Sequence, residues 1–196
     1  MNTRFEVVSR VSAKDLVNDP VIKEAGEILK NGGLVAFPTE TVYGLGGDAL
    51  NPESSRKIYA AKGRPSDNPL IVHIADLKDL PGIVSYIPES ARILADHFWP
   101  GPLTMIFQKS EAVPLETTGG LSTVAVRFPS DAIAQALIKN AGGYIAAPSA
   151  NTSGRPSPTT GRYVLEDMDG RIEMILDGGS CDIGLESTIV DLTEDI

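Results

Sequence analysis

Two cations, Lys62 and Arg64, lie one residue apart in the segment AKGRPSDNPLIVH at residues 61–73. Gly63 and Pro65 flank Arg64, and a glycine and a proline at a helix end should fix where both side chains point. Cations held in fixed positions suit phosphate charge that develops in a transition state. A lysine in the last turn of a helix and an exposed arginine would also explain the pattern without any catalysis. The pair therefore indicates a phosphate site that needs support from other segments.

A second segment, SANTSGRPS at residues 149–157, concentrates hydroxyl and amide side chains around one arginine. Such a loop can cradle an anion with its side-chain and backbone N–H groups. The same composition is typical of an ordinary surface loop made of turn-forming residues. Taken alone, this segment favours the surface-loop interpretation.

Other kinds of site find little support. GLGGDA at residues 44–49 matches the dinucleotide fingerprint G-x-G-x-x-A, but residues 38–43 separate it from the preceding apolar strand, which the fingerprint does not allow. A nicotinamide-dependent oxidoreductase would depend on that match alone. With one cysteine and two histidines the sequence shows no metal-ligand spacing, so no protein metal site is predicted. His73 and His97 are each typical of a structural histidine.

Composition limits the classes of protein. The 196 residues include 17 basic and 26 acidic side chains, a formal net charge of −9, and no basic stripe of the kind that grips a nucleic-acid backbone. The single Cys181 excludes an intramolecular disulfide and suits a reducing compartment. No basic region followed by an apolar run opens the sequence, and no apolar run is long enough to span a bilayer, so neither a signal peptide nor a membrane span is predicted. We expect a cytoplasmic protein with no membrane partner.

The elements that must position these residues alternate between strands and helices. N-cap residues followed by proline, as at Asp19–Pro20 and Asn51–Pro52, mark helix starts, and glycines mark helix ends. This alternation predicts one α/β domain with a partly parallel sheet. We expect the long loops 38–48, 63–68 and 149–160 to be functional and to converge on one edge of the sheet. Strands are predicted over 4–8, 34–37, 70–74, 103–107, 123–128 and 144–147, near 174 and over 187–192, and helices over 20–31, 51–62, 88–98, 130–142 (capped by Ser130) and 160–168.

Six segments, in the right order along the chain, resemble a known family. They are FPTETVYGLGGDA (37–49), KGRPSDNPLIVH (62–73), FWPGPLT (98–104), TVAVRFP (123–129), APSANTSGRPSPT (147–159) and GLESTIVDL (184–192). Lys62-x-Arg64 and Ser149-x-Asn151 resemble the K-x-R…S-x-N signature of the YrdC-like threonylcarbamoyl-AMP synthases. The likeness covers almost the whole chain, and six matched segments are far more specific than one.

The resemblance implies a twisted, partly parallel α/β sheet flanked by helices, with a large concave substrate cavity. It also implies L-threonylcarbamoyladenylate synthase activity, a nucleotidyl transfer. L-Threonine and bicarbonate or CO2 would form N-carboxythreonine, whose carboxylate attacks the α-phosphate of ATP and expels pyrophosphate. The product, threonylcarbamoyl-AMP, would serve the threonylcarbamoyladenosine modification of tRNA. ATP is then a substrate, Mg2+ is expected with it, and a tRNA-modifying transferase is the expected downstream partner.

The resemblance also assigns residues to two groups. Lys62 and Arg64 are the expected catalytic cations, which suits a reaction that needs positioning and charge neutralisation more than acid–base chemistry. The nucleotide is expected at Lys62, Arg64, Asn68, Thr123, Ser149, Asn151 and Ser157. Threonine is expected at Thr41, His73, Arg127, the backbone of Ala147, and Ser187.

The expected extent is one YrdC-like catalytic domain over residues 1–196. Longer family members continue past the V-D-L segment with a strand whose arginine reaches the nucleotide, then a linker and a small second domain. We expect this chain to correspond to the catalytic domain without that extension. An RNA-binding YrdC-like module without the activity, binding RNA weakly, is the alternative, and the acidic net charge disfavours it.

Overall fold

The structure is a computed structural model that describes residues 2–194, so the predicted domain over 1–196 extends beyond the described residues at both ends. The strands are β1 (Arg4–Val7), β2 (Val35–Phe37), β3 (Gly44–Asp48), β4 (Ile71–His73), β5 (Leu103–Gln108), β6 (Thr123–Arg127), β7 (Ile145–Ala147), β8 (Met174–Asp177) and β9 (Thr188–Asp191). The helices are α1 (Ala13–Leu16), α2 (Pro20–Lys30), α3 (Pro52–Lys62), α4 (Glu89–Phe98), α5 (Ala132–Asn140) and α6 (Gly161–Met168), with a 3-10 helix at Leu77–Gly82.

The strands form one mixed sheet in the order β1-β8-β2-β3-β7-β4-β6-β5-β9. The pairs β1–β8, β2–β8, β4–β6 and β5–β9 are parallel. The pairs β2–β3, β3–β7, β4–β7 and β5–β6 are antiparallel. The predicted partly parallel α/β sheet is therefore confirmed.

Capping residues define the helix ends much as the sequence predicts. Asp19 accepts hydrogen bonds from the first N–H groups of α2, and Asn51 does the same for α3. Gly63 ends α3 with a φ of 61°, a left-handed conformation that a side chain would strain. The cap of α5 differs from the prediction: it is Asp131, not Ser130, because the Asp131 carboxylate accepts from the N–H groups of Ile133 and Ala134. Among the described residues, no helix is long and apolar enough to cross a bilayer.

The two faces of the sheet are covered differently. Alternate residues such as Val72, Met105 and Val126 point into one hydrophobic core, which they share with α3, α4 and α6. On the other face, α1, α2 and α5 pack over β2, β7 and β8 in a second core. Further along that second face, β4, β6, β5 and β9 contribute residues to the floor of a cavity. Strands β4, β5, β6 and β9 thus carry core on one side and the candidate site on the other, whereas β2, β7 and β8 carry core on both sides.

Strand β3 corrects the sequence prediction, which places residues 44–48 in a loop. Gly44, Gly46 and Gly47 lie in a strand that pairs with β2 and β7. A side chain at Gly46 would come within 2.9 Å of both Phe37 and Ile145, so these glycines allow close packing. Since they do not turn a strand into a helix, the dinucleotide fingerprint and the oxidoreductase alternative lose their basis.

Candidate functional site

The cavity has a volume of about 460 Å³, within the roughly 300–1,000 Å³ typical of ligand sites. Its floor is built in register across the sheet: Ala125 on β6 lies opposite Ile71 on β4 and Ile106 on β5, and Arg127 lies opposite His73. All five line the cavity. The small side chain of Ala125, between two isoleucines, leaves room above the sheet.

Backbone hydrogen bonds tie three loops together around this floor. The N–H of Tyr43 donates to Pro158, at 2.9 Å, and the carbonyl of Tyr43 accepts from Ala150, at 2.9 Å. The N–H of Gly184 donates to the carbonyl of Thr41, at 3.0 Å. Of the predicted loops, 38–48 and 149–160 therefore converge, although residues 44–48 form β3, and the third loop, 63–68, contributes Arg64 and Asn68 to the cavity lining. The unpredicted segment 181–187 joins them. They frame the open face of the sheet and not only its edge.

Arg127 is the centre of one end of the cavity, and its side chain is only 5% exposed. Its Nη2 donates to Glu40 Oε1 at 2.6 Å, its Nη1 to Thr41 Oγ1 at 2.9 Å, and its Nε to the Gly101 carbonyl at 3.4 Å. A guanidinium has five N–H groups, and the described residues accept from three of them. Two N–H groups therefore remain to bind a ligand. Two parallel N–H groups suit a carboxylate.

Thr41 is fully buried and also lines this end. The Thr39 hydroxyl donates to the carbonyl of Val42 at 2.6 Å, so in its 2.9 Å contact with Thr41 the Thr41 hydroxyl is the donor. Thr41 then accepts from Arg127 and retains one lone pair. It can therefore accept a hydrogen bond from a ligand hydroxyl or ammonium group.

The other residues predicted for threonine are His73, Ala147 and Ser187, and all three line the cavity. Burial and the neighbouring Arg127 lower the pKa of His73 to about 3, so the imidazole is neutral at physiological pH. Its Nδ1 lies 3.1 Å from the Ile71 carbonyl, which can only accept, so Nδ1 carries the proton. The Ser187 hydroxyl bonds to that of Thr104 at 2.7 Å. The structure thus brings the whole predicted threonine group together.

Arg64, Asn68 and Ser149 line the opposite part of the cavity. Arg64 donates to the Pro69 carbonyl at 3.3 Å, and its Nε is buried without a hydrogen-bond partner among the described residues. Burial lowers the pKa of Arg64. A partly buried guanidinium with free donors is well suited to an anion, because charge-assisted hydrogen bonds would satisfy them.

Lys62 lies behind this wall and does not line the cavity. Its ammonium, in a residue only 3% exposed, donates to the carbonyls of Ser149 and Asn151, the latter at 2.6 Å. Burial, and then the charge of Arg64, lower the pKa of Lys62 to about 8. The two cations therefore do not meet at one point: Lys62 holds the turn that carries Ser149, and Arg64 faces the cavity.

The remaining predicted nucleotide residues lie at the margin. Asn151 uses its amide to hold the carbonyls of Thr152 and Arg155, at 2.9 and 2.8 Å. Ser157 donates to Glu186 at 2.7 Å, and Glu186 lines the cavity. Thr123 begins β6, two residues before Ala125, and alternation places it on the same sheet face, outside the cavity lining.

Sequence reasoning missed two acidic residues, Glu40 and Glu186. Glu40 is buried against Arg127, and its other oxygen accepts from the N–H of Ser130 at 3.2 Å. A carboxylate within the otherwise uncharged FPTETVYG segment is the signal that could have found it, since buried carboxylates need a partner. Glu186 is exposed and gives no such signal.

No group of three or more histidine, cysteine or acidic side chains is arranged to hold a metal within residues 2–194. The carboxylate that lines the cavity is Glu186. Magnesium is commonly held by one or two carboxylates together with substrate phosphates. The Glu186 carboxylate could bind Mg2+ in that way, with the phosphates of a bound nucleotide as the other ligands.

Comparison with known proteins places the chain in context. The family Sua5_yciO_yrdC, described as "Telomere recombination", matches residues 27–196. The threonylcarbamoyl-AMP synthases of Pyrococcus abyssi and Bacillus subtilis are each 53% identical to it, over 94% and 91% of this chain and 54% and 52% of their own lengths. The chain thus spans about half the length of these curated relatives.

A solved structure gives the same result. The crystal structure of P. abyssi Sua5 complexed with L-threonine superposes with a TM-score of 0.92 at 52% identity, covering 98% of this chain and 55% of that one. The sheet, its helices and the order of the site segments are therefore those of a known fold. The chain belongs to the Sua5/YciO/YrdC family.

Proposed function

We propose that the protein is a threonylcarbamoyl-AMP synthase that uses L-threonine, bicarbonate or CO2, and ATP. The observation that carries the proposal is the placement of Arg127 and Arg64 in one cavity: a buried guanidinium with two free donors at one end, and a second guanidinium at the other. One end suits an amino-acid carboxylate and the other suits phosphates. The names of the relatives support the same reaction.

The amino-acid end would bind threonine through Arg127 and Thr41, with Ser187, His73 and the backbone of Ala147 closing the pocket. Loss of a proton from the threonine amine and addition of CO2 give N-carboxythreonine. Its carbamate oxygen then bonds to the α-phosphorus of ATP as the bond to the bridging oxygen of pyrophosphate breaks. Neutral His73 adds no positive charge, so it would define the shape of the pocket and would not transfer a proton.

The nucleotide end would stabilise the charge that shifts onto pyrophosphate. Arg64 is the group we assign to direct phosphate contact, with Asn68 and Ser149 beside it. Lys62 would act at the same end by holding the Ser149–Asn151 turn. Asn151, Ser157 and Thr123 would complete the nucleotide site from its margin. Mg2+ would enter with ATP, with Glu186 as the carboxylate within reach of that end.

The product is a reactive mixed anhydride of a carbamate and a phosphate, so a further enzyme must consume it. We propose a tRNA-modifying transferase in that role, with both proteins in the cytoplasm.

The test is pyrophosphate release from ATP and Mg2+, with mass spectrometry for threonylcarbamoyl-AMP. Release should require threonine and bicarbonate together. Arg64→Ala should lower turnover on the order of a hundredfold, the usual loss for one preorganised electrostatic contact. Arg92→Ala, which removes an exposed arginine from α4, is the matched control and should leave turnover unchanged. Absence of the adenylate with the unaltered protein would refute the proposal.

A further inference from the structure

Glu40 forms a buried ion pair with the guanidinium at the centre of the amino-acid end. Its side chain is 8% exposed, that of Arg127 is 5% exposed, and 2.6 Å separates Oε1 from Nη2. The second oxygen accepts from the N–H of Ser130 at 3.2 Å. Glu40 does not line the cavity, so it reaches a ligand only through Arg127 and through its charge.

The charges at the amino-acid end of the cavity balance. Arg64, Arg127 and Glu186 are the charged residues that line it among the described part of the chain, and Glu40 lies directly behind Arg127. His73, which faces Arg127 across β4 and β6, is neutral because burial lowers its pKa to about 3. At the amino-acid end, the positive charge of Arg127 is therefore already matched by Glu40.

We propose that Glu40 is a specificity-determining residue that makes this pocket select a zwitterion over a simple anion. The proposal rests on the proposed function insofar as threonine is the ligand of Arg127. A lone buried arginine would attract any carboxylate. The Glu40 carboxylate, on the far side of Arg127, repels a ligand that carries only negative charge. For a zwitterion, the attraction between Glu40 and the ammonium group of the ligand offsets the repulsion between the two carboxylates.

The ion pair suits this role better than a purely structural one. A buried ion pair contributes little net stability compared with apolar packing of the same volume, so its retention in a ligand pocket needs another reason. Discrimination by an opposing charge is a general route to specificity. A unit charge at roughly 6 Å in a medium of effective dielectric near 20 changes the affinity for an anion by up to about a hundredfold, so a tenfold effect is a conservative expectation.

Calorimetry with two ligands of the same size tests the inference. Threonine is a zwitterion at neutral pH, and 2,3-dihydroxybutanoate is the same skeleton with a hydroxyl in place of the ammonium group. The unaltered protein should bind threonine at least about tenfold more tightly than the anion. Glu40→Gln, which keeps the size and a hydrogen-bond acceptor but removes the charge, should reduce that ratio on the order of tenfold, mainly through tighter binding of the anion.

Two further variants separate charge from packing. Glu40→Asp keeps the charge and should keep the preference, whereas Thr41→Val removes an Arg127 partner without a change in charge and should weaken both ligands together. Equal binding of the two ligands by the unaltered protein, a measurement that needs no variant to fold, would overturn the inference. So would a parallel loss of both affinities in Glu40→Gln. A protein that shows the preference but makes no threonylcarbamoyl-AMP would refute the proposed reaction and leave the inference standing.

Discussion

Replacing Lys62 with methionine should remove most of the activity while changing the free energy of unfolding only modestly. Methionine is close to lysine in length and lacks the ammonium group that donates to the carbonyls of Ser149 and Asn151. The turn that carries Ser149 to the cavity would lose its side-chain attachment to α3, while the backbone bond from the N–H of Ser153 to the Lys62 carbonyl, at 2.9 Å, remains. We expect kcat/KM to fall on the order of a hundredfold, as for loss of a preorganised contact.

The modest effect on stability follows from two opposing contributions. The lowering of the Lys62 pKa from 10.5 to about 8 corresponds to about 3 kcal/mol, the cost of keeping the charged form in this buried position. Methionine removes that cost. It also leaves two buried carbonyl groups without their donor, at about 1–3 kcal/mol each. The two effects nearly cancel, so the net change should stay within about 3 kcal/mol.

The pH dependence gives an independent check on the same residue. Between pH 8 and pH 10.5 the unfolded chain holds a proton on Lys62 that the folded chain has released, so the Lys62 contribution to stability rises with pH across that window. Activity should fall over the same window, because the neutral amine has fewer N–H groups to hold the turn. Stability and activity should therefore change in opposite directions, and the Lys62→Met variant should lack both effects.

Lys57→Met is the matched control, because Lys57 lies on the same helix and donates to the carbonyl of Gly32 at 2.6 Å, away from the cavity. The measurements are pyrophosphate release, urea unfolding and hydrogen exchange of residues 149–153. Exchange there should increase in Lys62→Met alone. If both variants lost activity equally, or if exchange at the turn were unchanged, the assignment of Lys62 to the turn would be refuted.

Three further predictions concern the cavity and its frame. Ala125→Leu should block substrate binding without unfolding the protein, because the added carbons enter the space between Ile71 and Ile106, whereas Ala60→Leu on the exposed side of α3 should leave kinetics unchanged. Tyr43→Phe should lower Tm by several degrees, because the buried hydroxyl accepts from the N–H of Gly178 and donates to the Asp177–Gly179 segment. A loss of about 1 kcal/mol lowers Tm by about 2–4 °C in a chain of this size. Tyr86→Phe, at a 70% exposed position, should leave Tm unchanged. Valine should be rejected more strongly than serine as a substrate. Valine leaves the groups that bind the threonine hydroxyl unpaired, whereas serine loses only a methyl contact worth about 1–3 kcal/mol. Equal pyrophosphate release with valine and serine would contradict a pocket that recognises the hydroxyl.

Local signals made much of the fold predictable. The Asp19–Pro20 and Asn51–Pro52 starts and the Gly63 stop work through hydrogen bonds and φ angles within a few residues, and the structure has those helices. Strand β3 was not predictable in this way. Its glycines are disfavoured in strands by their own properties, and only the packing against Phe37 and Ile145 explains them.

The candidate site was likewise predictable only in part. The resemblance supplied the residue types, and the five residues that it assigns to threonine all line the cavity. The ion pair of Arg127 with Glu40 joins residues 87 positions apart, so no local pattern indicates it. The orientation of Lys62, away from Arg64 and toward the Ser149–Asn151 turn, likewise depends on tertiary contacts.

The alternation of core and cavity residues along β4 and β6 limits how this chain can change. Deleting one residue within β6 would move Val126 onto the substrate floor and Ala125 or Arg127 into the hydrophobic core, because side chains alternate at a period of two. Such a deletion would destroy the ligand site and the core in one step. Insertions and deletions should therefore be tolerated in exposed connections such as the one at Gly142. In β4 and β6 they should abolish both folding and ligand binding.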